Sequence, residues 1–189
     1  ELWVFPPRLL PERFILDSYR HVLVRFRFLM HFLNSLLVGA AVTALQVGTS
    51  ALAAYPLACA RFKGREAVFF LILGTMMIPP QVTMIPLYIL LARINWIDTY
   101  WSLIVPLMAN PFGIFLIRQF YLSIPAELID AATIDGCSRL RVLSRIMIPL
   151  SMPVIAAFSL FAFLGNWNSY LWPLIVITTT ENRTLPIML

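Results

Sequence analysis

The chain of 189 residues is 60% hydrophobic and 12% charged, with a mean hydropathy of +0.84. Soluble domains carry about 25% charged residues, so this composition argues against a water-soluble globule and for a polytopic all-α membrane protein. A net charge of +5 and a pI near 9.7 do not indicate nucleic acid, because the arginines are scattered through short loops, as basic membrane-flanking segments are.

The chain opens at Glu1 without an initiator Met or a basic-then-apolar leader pattern and stops at Leu189 after a polar patch, so it reads as a fragment trimmed at both ends. Residues 1–30 mix Pro6, Pro7 and Pro11 with five arginines. Asp17 suits an N-cap for a short amphipathic surface helix through Tyr19, Val22, Leu23 and Phe26. From Phe32 to Ala60 no residue is charged, enough to cross a hydrocarbon core of about 30 Å at about 1.5 Å per residue. Its many small residues, Gly39, Ala40, Ala44, Gly48 and Ala51 among them, predict an interior span that lets neighbours approach closely. Arg61-Phe62-Lys63-Gly64-Arg65-Glu66 predicts a tight basic hairpin into a second run, Ala67 to Ala92. There Pro79-Pro80 and Pro86 predict a kink or break. Such breaks are tolerated at membrane depth where protein or a water-filled cavity satisfies the backbone, which makes Gln81 a candidate cavity-lining residue; a helix-to-helix hydrogen bond is the alternative.

A polar turn at 93–98 precedes a third run, Thr99 to Ile117, interrupted by Pro106 and Pro111 and closed by Arg118-Gln119. The last uncharged run, Ile146 to Thr180, exceeds one span and holds Gly165-Asn166-Trp167-Asn168-Ser169-Tyr170 near the middle of its helix. One transmembrane domain over 1–189 follows, with four spans at 32–60, 67–92, 99–118 and 150–177 and a long connector at 119–149. Lys and Arg divide evenly between the two sides, so the positive-inside rule leaves the orientation open.

The connector is the most charged part of the chain. Pro125 suits a first helical turn, and Glu127 and Asp130 favour the positive end of the helix dipole. Leu128, Ala131, Ala132 and Asp135 share one face, flattened by the paired alanines. Gly136 suits a left-handed stop, and Ser138 can cap a second helix with Leu140, Leu143 and Met147 along one side and Arg139, Arg141 and Arg145 outward. An interfacial connector with no partner would fit these features equally well.

Asp130-Ala131-Ala132, three residues, Gly136, nine residues, Ile146, one residue, Ile148-Pro149 resembles the signature loop of permease subunits in binding-protein-dependent ABC importers. That pattern reads Glu-Ala-Ala, Gly, Ile and Leu-Pro, so Asp130 and Ile148 are mild departures. Asn34-Ser35-Leu36, Arg61-Phe62-Lys63-Gly64, Met84-Ile85-Pro86-Leu87-Tyr88, the stretch Phe112 to Phe120 and Trp167-Asn168 are similar to the carbohydrate-uptake branch. The resemblance covers nearly the whole chain. It implies a type I permease fold lacking its first and last spans, in the inner (plasma) membrane, importing a sugar or oligosaccharide. It also implies a second homologous permease, two cytoplasmic ATPase subunits that carry ATP and Mg, and an extracytoplasmic solute-binding protein. In that frame Glu127, Asp130, Ala131, Ala132, Asp135, Gly136, Ile146 and Pro149 form the ATPase-coupling loop, and 61–66 and 118–145 face the cytoplasm. This subunit would bind no cofactor or metal.

Asn166, Trp167 and Asn168, with Asn110 and Gln81, are candidates for the translocation path, the indole offering a face to a sugar ring and the amides partners to its hydroxyls. Interhelical hydrogen bonding is the equal alternative, and Asn34 and Asn110 carry less weight on the same grounds. No carboxylate pair, nucleophile triad or GxxxxGK[ST] motif is present, so the chain is not itself the ATPase. Permeases for polyamines, amino acids or glycerol phosphate remain the near alternatives. A secondary transporter is disfavoured because no span carries an acid, and a scaffold would leave the loop spacing without a reason.

Overall fold

Helix α1 (Phe28–Cys59) is the axis of the fold, described here in a computed structural model that covers residues 27–188. The expected surface helix after Asp17 lies outside the described residues. Among the described residues α1 alone is long and apolar enough to cross a membrane unaided. Its buried positions, including His31, Asn34, Ser35, Val38, Val42, Gln46, Ala54 and Ala58, recur at helical spacing and face its neighbours. The Phe163 ring lies over Gly39, where a Cβ would stand 3.1 Å from it. Association in lipid depends on such close packing rather than on a hydrophobic drive between helices.

The remaining apolar runs are each broken, and prolines stand at every break. α2 (Arg65–Thr75) and α3 (Pro80–Arg93) meet at 91°. Pro80 holds Pro79 extended, at φ −60° and ψ 133°, so the helix cannot continue through it. α4 (Tyr100–Ile104) tightens into a 3-10 turn at Val105–Leu107 and meets α5 (Pro111–Ser123) at 41°. The carbonyls freed there are taken up from α1: Gln46 Nε2 donates to Leu107 O at 2.7 Å and Thr49 Oγ1 to Met108 O at 2.7 Å. Each unsatisfied group would otherwise cost several kcal/mol in hydrocarbon.

The connector follows as α6 (Ala126–Ile134) and α7 (Arg139–Leu150), which carries a π turn at Leu143–Met147 and meets α8 (Met152–Trp167) at 78°. α9 (Leu171–Val176) and the short α10 (Leu185–Met188) close the chain. Counting each bent pair as one span gives up to four crossings by length and composition. The helix behind the third run continues to Ser123, so Arg118 lies within α5 and does not end it. The polar cluster at 165–170 is not mid-helix either: α8 ends at Trp167, with Asn168 as its C-cap. That cluster lies opposite the first turns of α1, where Trp167 meets the Phe32 ring edge-on at 5.4 Å.

Two large apolar cores lie along α1, with a smaller one of Leu57, Phe69 and Ile114. Ala54, Ala58, Ile117, Tyr121, Ala132, Val142, Leu143, Met147 and Phe158 form the one beside the connector. Val38, Val42, Leu91, Leu103, Trp172 and Val176 form the other. The outer faces of α2 and α3 stay bare, with Leu71 and Ile85 each 72% exposed.

Candidate coupling segment and polar groove

Helix α6 begins after Pro125 and ends where Gly136 turns at φ +75°, the left-handed conformation that costs glycine least. Among the expected coupling residues Glu127, Asp130, Ala131, Asp135, Gly136 and Pro149 are exposed, Ile146 is half-buried and Ala132 is buried. The flat face expected from Leu128, Ala131, Ala132 and Asp135 is therefore split. Ala132 turns inward with Ile129 against the core of Tyr121, Leu143 and Met147, while Leu128, Ala131 and Asp135 face out. The reason is tertiary: Ala132 is the position of α6 that joins the core built by Tyr121, Leu143 and Met147. In α7, Leu143 and Met147 are buried as expected, but Leu140 is 71% exposed beside Arg139 and Arg141. Ser138 occupies the N-cap position without a side-chain capping bond.

The expected path residues do not act as one group. Asn166 and Asn110 meet in an open groove of about 190 Å³ between α1, α5 and α8, floored by Phe158 and walled by Phe112 and Phe161. Gln46, which the sequence reading did not single out, completes it from α1: Asn110 Nδ2 donates to Gln46 Oε1 at 3.4 Å. Asn110 Oδ1 also accepts from Gly113 N, capping α5. Trp167 packs between Phe32 and Phe163, half-buried, and does not line this groove. Asn168 is exposed and donates back to Leu164 O at 2.8 Å. Gln81 stands exposed in the first turn of α3 and does not line this groove. Asn34 is structural: Nδ2 donates to Glu181 O and Arg183 O, and Oδ1 accepts from Tyr100 Oη.

A buried charge, also unforeseen, braces the connector end. Arg118 is 5% exposed; it donates from Nη2 to Glu66 Oε1 at 2.7 Å and from Nε to Leu57 O at 2.9 Å, and its guanidinium lies 3.9 Å over the Phe69 ring. It ties α5 to the end of α1 and the start of α2. The sequence clue was one arginine seven residues into a run opened by Pro111, followed by more helix-forming residues than a loop needs. At the opposite end Asp98 caps the segment after α9. Burial opposes its ionisation, but hydrogen bonds from Thr179 and Thr178 outweigh that and hold its carboxyl below the usual range.

Residues 46–188 match the family described as binding-protein-dependent transport system inner membrane component. The chain is 41% identical over 156 residues to the arabinooligosaccharides transport system permease protein AraQ of Bacillus subtilis, covering 82% of this chain and 56% of that protein. It is 34% identical over 190 residues to the sn-glycerol-3-phosphate transport system permease protein UgpE of Escherichia coli, covering 97% of this chain and 68% of that one. The crystal structure of a bacterial ABC transporter involved in the import of the acidic polysaccharide alginate contains a chain that superposes with a TM-score of 0.84 at 27% identity, over 95% of this chain and 62% of that one. This chain thus spans less than two thirds of the length of AraQ. On the family match and these identities, the chain belongs to the inner membrane components of binding-protein-dependent transport systems.

Proposed function

We propose that the full-length protein is the multi-pass permease subunit of an ATP-driven importer in the inner membrane, passing a sugar or oligosaccharide handed over by an extracytoplasmic binding protein. It works beside a second homologous permease. Two cytoplasmic ATPase subunits supply ATP, Mg and hydrolysis, and this subunit does no chemistry of its own.

The observation that carries the reading is how the connector is mounted. Glu127, Asp130, Ala131 and Asp135 face outward, as a docking helix needs, while Ala132, Leu143 and Met147 anchor the same segment to Tyr121 of α5. Both helices that flank the groove attach directly to this connector. α5 carries Tyr121 at one end and Asn110 at the other; α8 leaves the connector at the 78° bend and bears Asn166 at its far end. A push on α6 from a closing ATPase cleft is thereby delivered to both walls of the groove. The joint that transmits this push is the π turn and bend between α7 and α8, where ladder bonding is already irregular.

The groove supports an uncharged, hydroxyl-bearing solute over glycerol phosphate. Its lining is amide and aromatic, with no charged side chain to meet a phosphate. The test is reconstitution of the full-length protein with its partner permease and ATPase. ATP hydrolysis stimulated by a binding protein loaded with an arabino-oligosaccharide, and not with glycerol 3-phosphate, is expected; the reverse pattern overturns the sugar assignment. Gly136→Val should abolish coupled uptake while leaving the spans folded. The space around Gly136 is open, so the penalty comes from its positive φ alone.

A further inference from the structure

An open basin of about 630 Å³, larger than the groove, lies at the hairpin between α1 and α2 and is lined by Arg61, Phe62, Lys63, Gly64, Arg65 and Glu66. Three of its residues are cations and one is an acid, and the acid is already committed. Glu66 Oε1 accepts from Arg118 at 2.7 Å and from Arg65 Nε at 3.2 Å. Arg65 further donates to Ala58 O and Ala60 O. Arg61 and Lys63 are exposed and make no hydrogen bond or ion pair among the described residues. Among the described residues, Arg61 and Lys63 have no counter-charge.

What adjoins the basin decides the partner. Phe62 is 45% exposed, and α2 continues from the loop with Val68, Phe70 and Leu71 exposed by 43%, 65% and 72%; only Phe69 of this helix is buried. A cationic rim thus runs directly into a bare apolar helix face, at the same end of the bundle as the connector. That order, charge and then hydrocarbon along one helix, matches a phospholipid lying parallel to α2. It does not match the surface of a water-soluble protein, which would have to cover Phe70 and Leu71 within the bilayer, and a membrane-spanning protein that covered those side chains would leave Arg61 and Lys63 in the headgroup layer.

We infer that this hairpin is a binding site for one anionic phospholipid of the adjoining leaflet, its phosphate held by Arg61 and Lys63 and an acyl chain lying along Phe62, Val68 and Leu71. The site is independent of the transported solute. Held there, the lipid sits against the segment that Arg118 ties to α5, so bilayer charge bears on the helix that holds the connector.

The test is titration of the full-length protein in neutral detergent with dioleoyl phosphatidylglycerol and, separately, dioleoyl phosphatidylcholine, reading bound lipid by native mass spectrometry. The wild type should retain the anionic lipid selectively. Arg61→Gln with Lys63→Gln should weaken its retention about thirtyfold, at about fivefold per juxtamembrane cation, without changing retention of the zwitterionic lipid. Arg61→Lys with Lys63→Arg should restore it. Equal retention of both lipids by the wild type, or an unchanged titration in the glutamine double variant, overturns the site. So does a double variant that keeps the anionic lipid but loses a co-purifying ATPase subunit, which would assign the cations to a protein partner. Unchanged thermal unfolding of the double variant separates loss of the site from loss of the fold.

Discussion

Gly113, at the third position of α5, offers the sharpest test of how the helices are packed. A Cβ built there collides with the Phe158 ring, its Cε1 at 2.6 Å, and with Ser50 Oγ at 2.6 Å. Neither neighbour can yield easily, since Phe158 is 1% exposed and Ser50 is fully buried. Gly113→Ala gains about 1 kcal/mol of helix propensity, but overpacking a filled core costs about 3 kcal/mol at the upper end of its range. The net loss of about 2 kcal/mol corresponds to a fall in Tm of about 4–8 °C for a chain of this size. Gly48 provides the matched control, because a Cβ there meets nothing within 4 Å. Gly48→Ala should leave Tm unchanged or raise it by a few degrees. Phe158→Leu should recover part of the Gly113→Ala loss, the signature of a direct contact in a double-mutant cycle. Thermal unfolding of the purified full-length protein in detergent reads all four variants. If Gly113→Ala and Gly48→Ala shift Tm in the same direction, the three-helix contact of α1, α5 and α8 is wrong.

Glu66→Gln leaves Arg118 charged in a buried site with only a neutral partner and should cost about 1–2 kcal/mol, reduced from the full cost of breaking a buried pair because Glu66 is half exposed. Arg65→Gln removes the less buried partner of the same carboxylate together with its longer bonds to Ala58 O and Ala60 O, and should cost no more than about 1 kcal/mol by chemical denaturation; a cost equal to that of Glu66→Gln would argue against the Arg118 brace. Asp98 ionises below the usual carboxylate range in the folded chain, so its contribution is complete at neutral pH and is lost as pH falls through its folded pKa. Asp98→Asn keeps a residue tolerant of the φ of 62° and should flatten the acid limb of a proteolysis-rate profile for the 178–182 segment. In uptake assays Asn166→Leu and Gln46→Leu should raise KM severalfold, whereas Asn168→Ala should be neutral; an effect at 168 equal to that at 166 would return the whole cluster to packing.

Much of the backbone was legible in the chain because its cues are local. Uncharged runs set the apolar helices, and the pairs Pro79-Pro80 and Pro106/Pro111 set where they break, since a missing donor and a fixed φ act within one turn whatever the surroundings. The left-handed turn at Gly136 and the outward arginines of α7 were readable for the same reason.

The site was less legible, because its members are chosen by which helix faces meet. Asn166 and Asn168 are two residues apart, hence on different sides of α8, and only the position of α1 and α5 gives Asn166 a role and leaves Asn168 in the open. Gln46 is one amide in a long apolar run until the break after α4 presents a carbonyl to it. Ala132 and Ala131 look alike in sequence, yet the fold of α6 back onto Tyr121 buries one and exposes the other. Arg118 read as the end of a span because a charge in an apolar run is costly; Glu66, Leu57 O and the Phe69 ring, from two other helices, remove that cost. The sequence by itself determined a set of broken apolar helices with one charged connector. Tertiary structure decided which polar groups are satisfied and which are left facing open space, because Asn34, Gln46 and Arg118 find their partners on other segments of the chain.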